Sequence, residues 1–340
     1  MKHKKKVTSL DVARRAGVSR ATVSYVLNKV ASASISPVTQ KKVLKAVEEL
    51  NYIPIAAGQA LASSRTGSFG LVYPVSQASN PLLLQVIQGL LDIVQKNNFR
   101  LLIDTIDKKG DDSEIPSLSR TKSIDGLVLF GTHENDKALH NQLKKQYPIV
   151  TLGESSDSEV CSIGIDSIHS AVTAVNHLIS LGHRKIACIT NAPLSYSSSQ
   201  ERFKGYKLAL EENEIIFDPD RVQYGDFNEE SGYRAMKKLL RKRCTACFAA
   251  SDRIALGAMR AITEAGLRIP EDIAVMGFNN DPQARFFNPP LSSIRFSGIE
   301  MGIRAGEMLF DLINEKIDPG KRIMIKSELV IRESTKDLTA

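Results

Sequence analysis

Residues 8–28 read TSLDVARRAGVSRATVSYVLN. Thr8 or Ser9 can cap a first helix, with Asp11 in its first turn, where the helix dipole favours an anion. Leu10, Val12, Ala13 and Ala16 give that helix an apolar face. Gly17 then supplies the positive φ that a tight interhelical turn requires. Val18 is an apolar plug, and Ser19 can cap a second helix from Arg20 to about Asn28. Val23, Val26 and Leu27 point inward at helical spacing, while Arg20, Ala21, Ser24 and Tyr25 form the opposite face. Two short helices joined by Gly-Val-Ser, the second with an outward polar face, predict a helix-turn-helix. Pro37 opens a third helix through Leu50, whose Val43, Leu44, Val47 and Leu50 close a small core. Lys41, Lys42 and Lys45 stay outside, available to phosphates.

The charge of the chain gathers around this segment. Up to Arg65 there are twelve Lys/Arg against three acids, Asp11, Glu48 and Glu49. The remaining 275 residues carry 33 Lys/Arg and 35 Asp/Glu, so the first 65 residues hold +9 and the rest −2 of the net +7. A compact basic module ahead of a near-neutral body is the electrostatic footprint of a nucleic-acid reader, or else a solvated basic tail; the helix pattern above, not the charge, decides between them. No apolar run approaches the roughly 18 residues of a membrane span. The opening MKHKKK lacks the apolar stretch of a secretory signal, so a cytoplasmic location is expected. Four cysteines (Cys161, Cys188, Cys244, Cys247) make no disulfide framework in 340 residues. Cys244 and Cys247 have CxxC spacing but no second pair, and read as buried thiols. His183 sits at a helix-to-strand turn, where it can complement a helix C-terminus. GxSxG, GxxxxGK[ST] and GxGxxG are all absent, and no nucleophile–base set can be assembled. Neither catalytic residues nor a metal or cofactor is therefore expected.

From Phe69 onward, short apolar strands alternate with amphipathic helices. FGLVYP, RLLIDTI, GLVLF, PIVTL, KIACIT, ACFAAS and DIAVMGF read as buried parallel strands. Residues 82–96, 135–145, 167–181, 199–213, 228–241, 252–265 and 298–315 read as helices. This alternation predicts an α/β architecture with parallel sheets.

Across these same segments the chain resembles the lactose-repressor (LacI/GalR) family of bacterial transcription regulators. The likeness starts at TSLDVARRAGVSRATVSYVLN and continues through NYIP, ALASSRTGSFG, LISLGHRKIA and Arg202-Phe-Lys-Gly-Tyr206. It runs on through ASDRIALGAMRAITEAGLRIPEDIAVMGFNN and NPPLSSI to the closing LVIRES, nearly the whole chain. It implies a helix-turn-helix domain over 1–53, a hinge helix or linker over 54–67, and a two-lobed effector-binding and dimerisation domain over 68–335. The lobes, as in type I periplasmic sugar-binding proteins, would be about 68–166 plus 297–330, and 167–296. Ligands would sit between them, at the carboxyl ends of the strands.

The resemblance also assigns roles. The second helix would enter the major groove, with Arg20, Ala21 and Tyr25 reading base edges. Arg20 can fork onto a guanine, Ala21 can touch a thymine methyl, and Tyr25 offers a ring and a hydroxyl. Tyr25 has a plainer alternative, packing against a neighbouring helix. Thr8, Ser19, Thr22 and Asn28 suit phosphate contacts that fix register, and Ser24 shares the outward face. In the hinge, Leu61 would wedge into the minor groove and kink the duplex. Gly58 stands where alanine is usual and costs about 1 kcal/mol of helix propensity. For the effector, Arg202 matches a ligand-gripping arginine and Phe227 an aromatic that stacks on a sugar ring. Asp252 and Asn279 can hydrogen-bond hydroxyls, Ser251 stands where asparagine is frequent, and Ser76, Glu154 and Asp166 are first-lobe candidates. Asp252 has a second reading, as a cap for its helix. Sugars and sugar phosphates are the implied effectors.

The expected protein is a repressor that reads a palindromic double-stranded operator as a homodimer, its affinity set by a bound small molecule. The chain ends at Ala340, soon after LVIRES, leaving no leucine-heptad tail, so a dimer is expected over a tetramer. A solute-binding protein of a transport system would share the lobes but carry an export signal and no DNA module. A nucleotide-using α/β enzyme would carry a Gly-rich phosphate turn early in the first sheet, whereas the turn here, YPVSQASNP, has no glycine.

Overall fold

The computed structural model describes residues 7–28, 34–53, 65–106, 117–131, 141, 143–153 and 157–335. The chain separates into two units, Met1–Ser68 with Ser123–Asp125, and Phe69–Lys122 with Gly126–Ala340.

The first unit holds three helices, α1 (Ser9–Ala16), α2 (Arg20–Leu27) and α3 (Pro37–Glu49). Thr8 precedes α1, and the Asp11 carboxylate accepts from its backbone N–H at 2.9 Å and its hydroxyl at 2.7 Å. Gly17 ends α1 at φ 67°, the left-handed geometry the turn required. The Ser19 hydroxyl accepts from the Thr22 N–H at 3.0 Å and caps α2. Ser36 does the same for α3 through Thr39, with Pro37 in the first turn. Val12, Ala13, Val23, Val43 and Ala46 form the buried core, with Ala16, Val26, Leu27, Val47 and Leu50 against it. Two expected core residues lie outside it, since Leu10 is 47% and Leu44 54% exposed. Each stands about 100° around its helix from the buried stripe, and Ala46 takes the place expected for Leu44.

The second unit is built on two sheets. Its strands begin with β1 (Ser68–Pro74), β2 (Arg100–Ile106), β3 (Gly126–Phe130), β4 (Ile149–Leu152) and β5 (Cys161–Gly164). The chain then lays down β6 (Ile186–Ile189), β7 (Val222–Gln223), β8 (Ala246–Ala249), β9 (Ala274–Asn279) and β10 (Ser292–Arg295). It closes with β11 (Arg322–Met324) and β12 (Glu328–Val330). Strand order is β11-β5-β4-β3-β1-β2 in the first sheet and β12-β10-β9-β8-β6-β7 in the second. β12 pairs antiparallel with β10, so the second sheet is mixed and not wholly parallel as expected. The central strands GLVLF and ACFA are buried at every residue, as strands covered on both faces must be.

The chain passes between the sheets after β5, after β10 and between β11 and β12. The last crossing places Glu328–Val330 in the second sheet, so the expected first-lobe limit at 330 moves back to 325–327. Longer helices flank the sheets: α4 (Pro81–Lys96), α5 (Ser167–Ser180), α6 (Ser197–Glu212), α7 (Glu229–Leu239), α8 (Asp252–Glu264) and α9 (Gly298–Ile313). The helix expected at 135–145 falls mostly outside the described residues.

Helices α7 and α8 meet backbone to backbone. A Cβ on Gly257 would land on the Glu229 carbonyl oxygen, and one on Gly232 on that of Ile254. Gly257→Ala is therefore expected to cost about 1–3 kcal/mol by overpacking. A lower urea midpoint at unchanged slope would register this, and an unaltered midpoint would show that the helices part freely.

Candidate functional site

On the first unit, α2 offers the face expected to read DNA. Arg20, Ala21 and Tyr25 are exposed, Tyr25 by 46%, so the packed alternative for this ring is not what the structure shows. The Arg20 Nε donates to the Ser9 hydroxyl at 3.0 Å, which ties the side chain to α1. The Ser19 and Thr22 hydroxyls lie 2.9 Å apart, and the Asn28 amide donates to Ser24 at 3.2 Å. Thr8 and Ser19 are exposed, and Thr22, Ser24 and Asn28 are half-buried along the same helix pair. Gly58 and Leu61 lie outside the described residues.

The second unit holds a cavity between its two sheets, about 980 Å³ of atom-free space with part of it open to solvent. Its walls come from segments that follow strands. Gln77 and Asn80 follow β1, Asn191 and Tyr196 follow β6, Phe227 follows β7, Ser251 follows β8, and Asn279 closes β9. Of the expected effector residues, Arg202, Phe227, Ser251 and Asn279 line this space. Phe227 adopts φ 56° and its N–H donates to the Asn191 carbonyl at 2.8 Å. A bulky residue in the left-handed region is strained, and such strain gathers where side chains are aimed for function. The Phe227 ring meets Tyr196 edge to face, centroids 4.7 Å apart. Asn279 stands at φ 104°, also strained for a side chain other than glycine.

Arg202 is 6% exposed, donates from Nη1 to the Ala250 carbonyl at 2.6 Å, and lies 3.9 Å over the Phe278 ring. Burial brings its guanidinium down to about 10, opposed by the charges of Glu201, Asp252 and Asp281, and it stays cationic near neutrality. Four buried polar atoms of cavity-lining residues have no hydrogen-bond partner among the described residues: Gln77 Nε2, Asn191 Oδ1, Arg202 Nε and Asn279 Oδ1. Buried polar groups are nearly always paired, so four orphans around one cavity make it a site able to hold a polar ligand.

The remaining expected residues sit elsewhere. Asp252 is wholly buried and does not line the cavity. Its carboxylate accepts from the Asp281 N–H and the Ser293 hydroxyl, both at 2.6 Å, so it fastens the start of α8 to the β9–β10 segment. The cap of α8 is Ser251, whose hydroxyl accepts from the Ile254 N–H, so the alternative reading of Asp252 as the cap is not what the structure shows. Asp166 is exposed and caps α5 through the His169 N–H at 2.8 Å. Ser76 is exposed beside the cavity-lining Gln77, and Glu154 lies outside the described residues. His183 is buried; its backbone N–H donates to the Leu178 carbonyl in the last turn of α5 at 3.2 Å, the helix end expected, and its ring bonds Thr245 at 3.0 Å.

Sequence reading missed Gln77, Asn191, Tyr196 and Arg253 as lining residues. Asn191 was within reach, since it follows KIACIT as Ser251 follows its strand. All four cysteines are buried free thiols. Among the described residues no group of His, Cys, Asp and Glu is arranged to hold a metal, and no helix is long and apolar enough to cross a membrane.

A three-helix reader unit followed by a two-sheet body with a polar cavity defines a DNA-binding transcription regulator with an effector domain. Residues 8–54 match the model of bacterial regulatory proteins of the lacI family, and residues 175–335 that of the periplasmic binding protein-like domain. The chain is 34% identical to the HTH-type transcriptional repressor PurR of Pasteurella multocida, covering 97% of this chain and 98% of that one. In structure it is similar to a Lac repressor dimer bound to operator and the anti-inducer ONPF, with TM-score 0.84 and 28% identity over 98% of this chain and 100% of that one. A complex of the transcriptional regulator CelR with cellobiose matches with TM-score 0.73 and 30% identity, over 97% and 100%. The chain belongs to the lacI family of bacterial regulatory proteins.

Proposed function

We propose that the chain is a cytoplasmic repressor that binds a palindromic operator as a homodimer and answers to a sugar held in the cavity. The observation that carries the effector reading is the set of four orphaned atoms. Gln77 Nε2 and Arg202 Nε are donors, while Asn191 Oδ1 and Asn279 Oδ1 are acceptors. A sugar hydroxyl both donates and accepts, so it can pair with either kind of atom. The edge-to-face pair of Tyr196 and Phe227 adds an apolar wall for the C–H face of such a ring. The cellobiose complex of the CelR relative supports the same class. Expected coupling is by linkage: the effector binds one lobe arrangement better, and operator affinity shifts by that difference.

A thermal-shift screen against neutral sugars and sugar phosphates tests the cavity. A hit raises Tm with concentration, as binding to the native state demands. Gel-shift titrations with genomic fragments, with and without the hit, test the coupling. On the reader face, Tyr25→Ala is expected to weaken the preferred site by about 1–3 kcal/mol and relax base preference nearby. Binding-site selection with the variant checks this, and unchanged selectivity would remove Tyr25 from the readout.

A further inference from the structure

We propose that Arg253 is a latch that clasps the two halves of the second unit together beside the cavity. Arg253 is the second residue of α8, on the second-sheet side, and lines the cavity. Its Nε and Nη2 fork onto Glu229 Oε1 and Oε2 at 2.7 and 2.8 Å. The remaining nitrogen, Nη1, crosses to the first-sheet side and donates to the Ser79 hydroxyl at 3.1 Å. It also lies 3.4 Å from the Ser79 carbonyl. Ser79 precedes Asn80, a cavity-lining residue whose side chain accepts from the Leu82 N–H and caps α4.

The fork matters because it fixes the arm before it reaches across. Glu229 opens α7, and α7 and α8 are held at backbone contact through Gly232 and Gly257, so the anchor does not give. Hydrogen bonding from Arg253 holds the Glu229 carboxyl below its usual range, which keeps the anchor charged. A planar guanidinium already immobilised by two bonds loses little further freedom in making the third. An arm built this way favours the arrangement in which Ser79 is within reach, and so biases the lobe equilibrium by the worth of that contact. That this bias changes effector binding rests on the effector reading above, whereas the clasp itself does not.

The test measures lobe separation with no effector present. All four native cysteines are buried, so nitroxides placed through Lys96→Cys on α4 and Lys238→Cys on α7, both exposed positions, report alone. Pulsed electron double resonance on the full chain, diluted with unlabelled chain, reads the distance between the lobes. The expected result is one dominant distance in the parent. Arg253→Ala and Ser79→Ala should each add a longer population, displaced by more than about 2 Å. Ser79→Ala removes only an exposed hydroxyl, so its fold is not in question. An unchanged distribution in Arg253→Ala would overturn the latch; Ser79→Ala, which keeps the carbonyl acceptor, should show the smaller longer-distance population of the two. A thermal-shift screen without any hit would count against the effector reading alone and leave these distances as they are.

Discussion

Arg202→Ala is expected to move any effector-dependent rise in Tm to roughly 10- to 150-fold higher ligand concentration than in the parent chain. The side chain is buried with Nε unpartnered among the described residues, while Nη1 is committed to the Ala250 carbonyl. A ligand oxygen accepting from this nitrogen makes a charge-assisted bond, worth about 1.5–3 kcal/mol, so its loss weakens binding roughly 10- to 150-fold. The same change leaves the Ala250 carbonyl without its donor and removes the cation from the Phe278 face. An unsatisfied buried carbonyl alone costs about 1–3 kcal/mol, so the unliganded variant should also melt lower. Arg202→Lys separates the two effects. Lysine keeps the charge but not the planar fork that spans carbonyl and ligand, so it should recover stability better than affinity. A ligand-induced shift with the parent's concentration dependence in Arg202→Ala would remove this residue from the site.

The second large effect is on the fold. Asp252→Ala strips the acceptor from the Asp281 N–H and the Ser293 hydroxyl, both deep in the second unit. Each stranded donor costs about 1–3 kcal/mol, and together they should remove about 3 kcal/mol or more. For a body of this size that is roughly 6–12 °C in Tm.

Asp252 also gives the fold a pH signature. Burial first, and the neighbouring Asp281 charge second, push its carboxyl well above the ordinary value of 3.8. Burial raises Asp281 as well, against the pull of Arg253 and Arg202. The folded chain therefore holds protons that the unfolded chain releases. Stability from this source is greatest at and below about pH 4, falls as pH rises toward the elevated folded values, and is flat above them. Asp252→Asn, which cannot ionise, should flatten that fall. Urea midpoints across the window decide it, and parallel slopes for parent and Asn variant would contradict the assignment.

The head was legible nearly to the residue because its signals are local. Thr8 with Asp11, Gly17, Ser19 and Pro37 act within one turn of where they stand, and the structure uses each as a boundary. Long apolar strands such as FGLVYP and GLVLF were equally plain. Short polar strands were not. Ser292–Arg295 and Glu328–Val330 carry no apolar alternation and exist because β9 and β10 offer them backbone partners. Missing the second of these is what displaced the expected lobe limit to 330.

Periodicity, caps and turn residues thus fixed the order and kind of elements, since each depends on neighbours only a few positions away. The aim of individual side chains was settled by packing between distant segments. Ser251 and Asp252 are adjacent in the chain, yet one faces the cavity and the other is locked to Ser293. Gln77, Asn191, Arg202 and Asn279 converge from four separate stretches, and Arg253 reaches Ser79 across 174 positions. No local rule encodes such meetings, because they exist only once both sheets have closed around the same space.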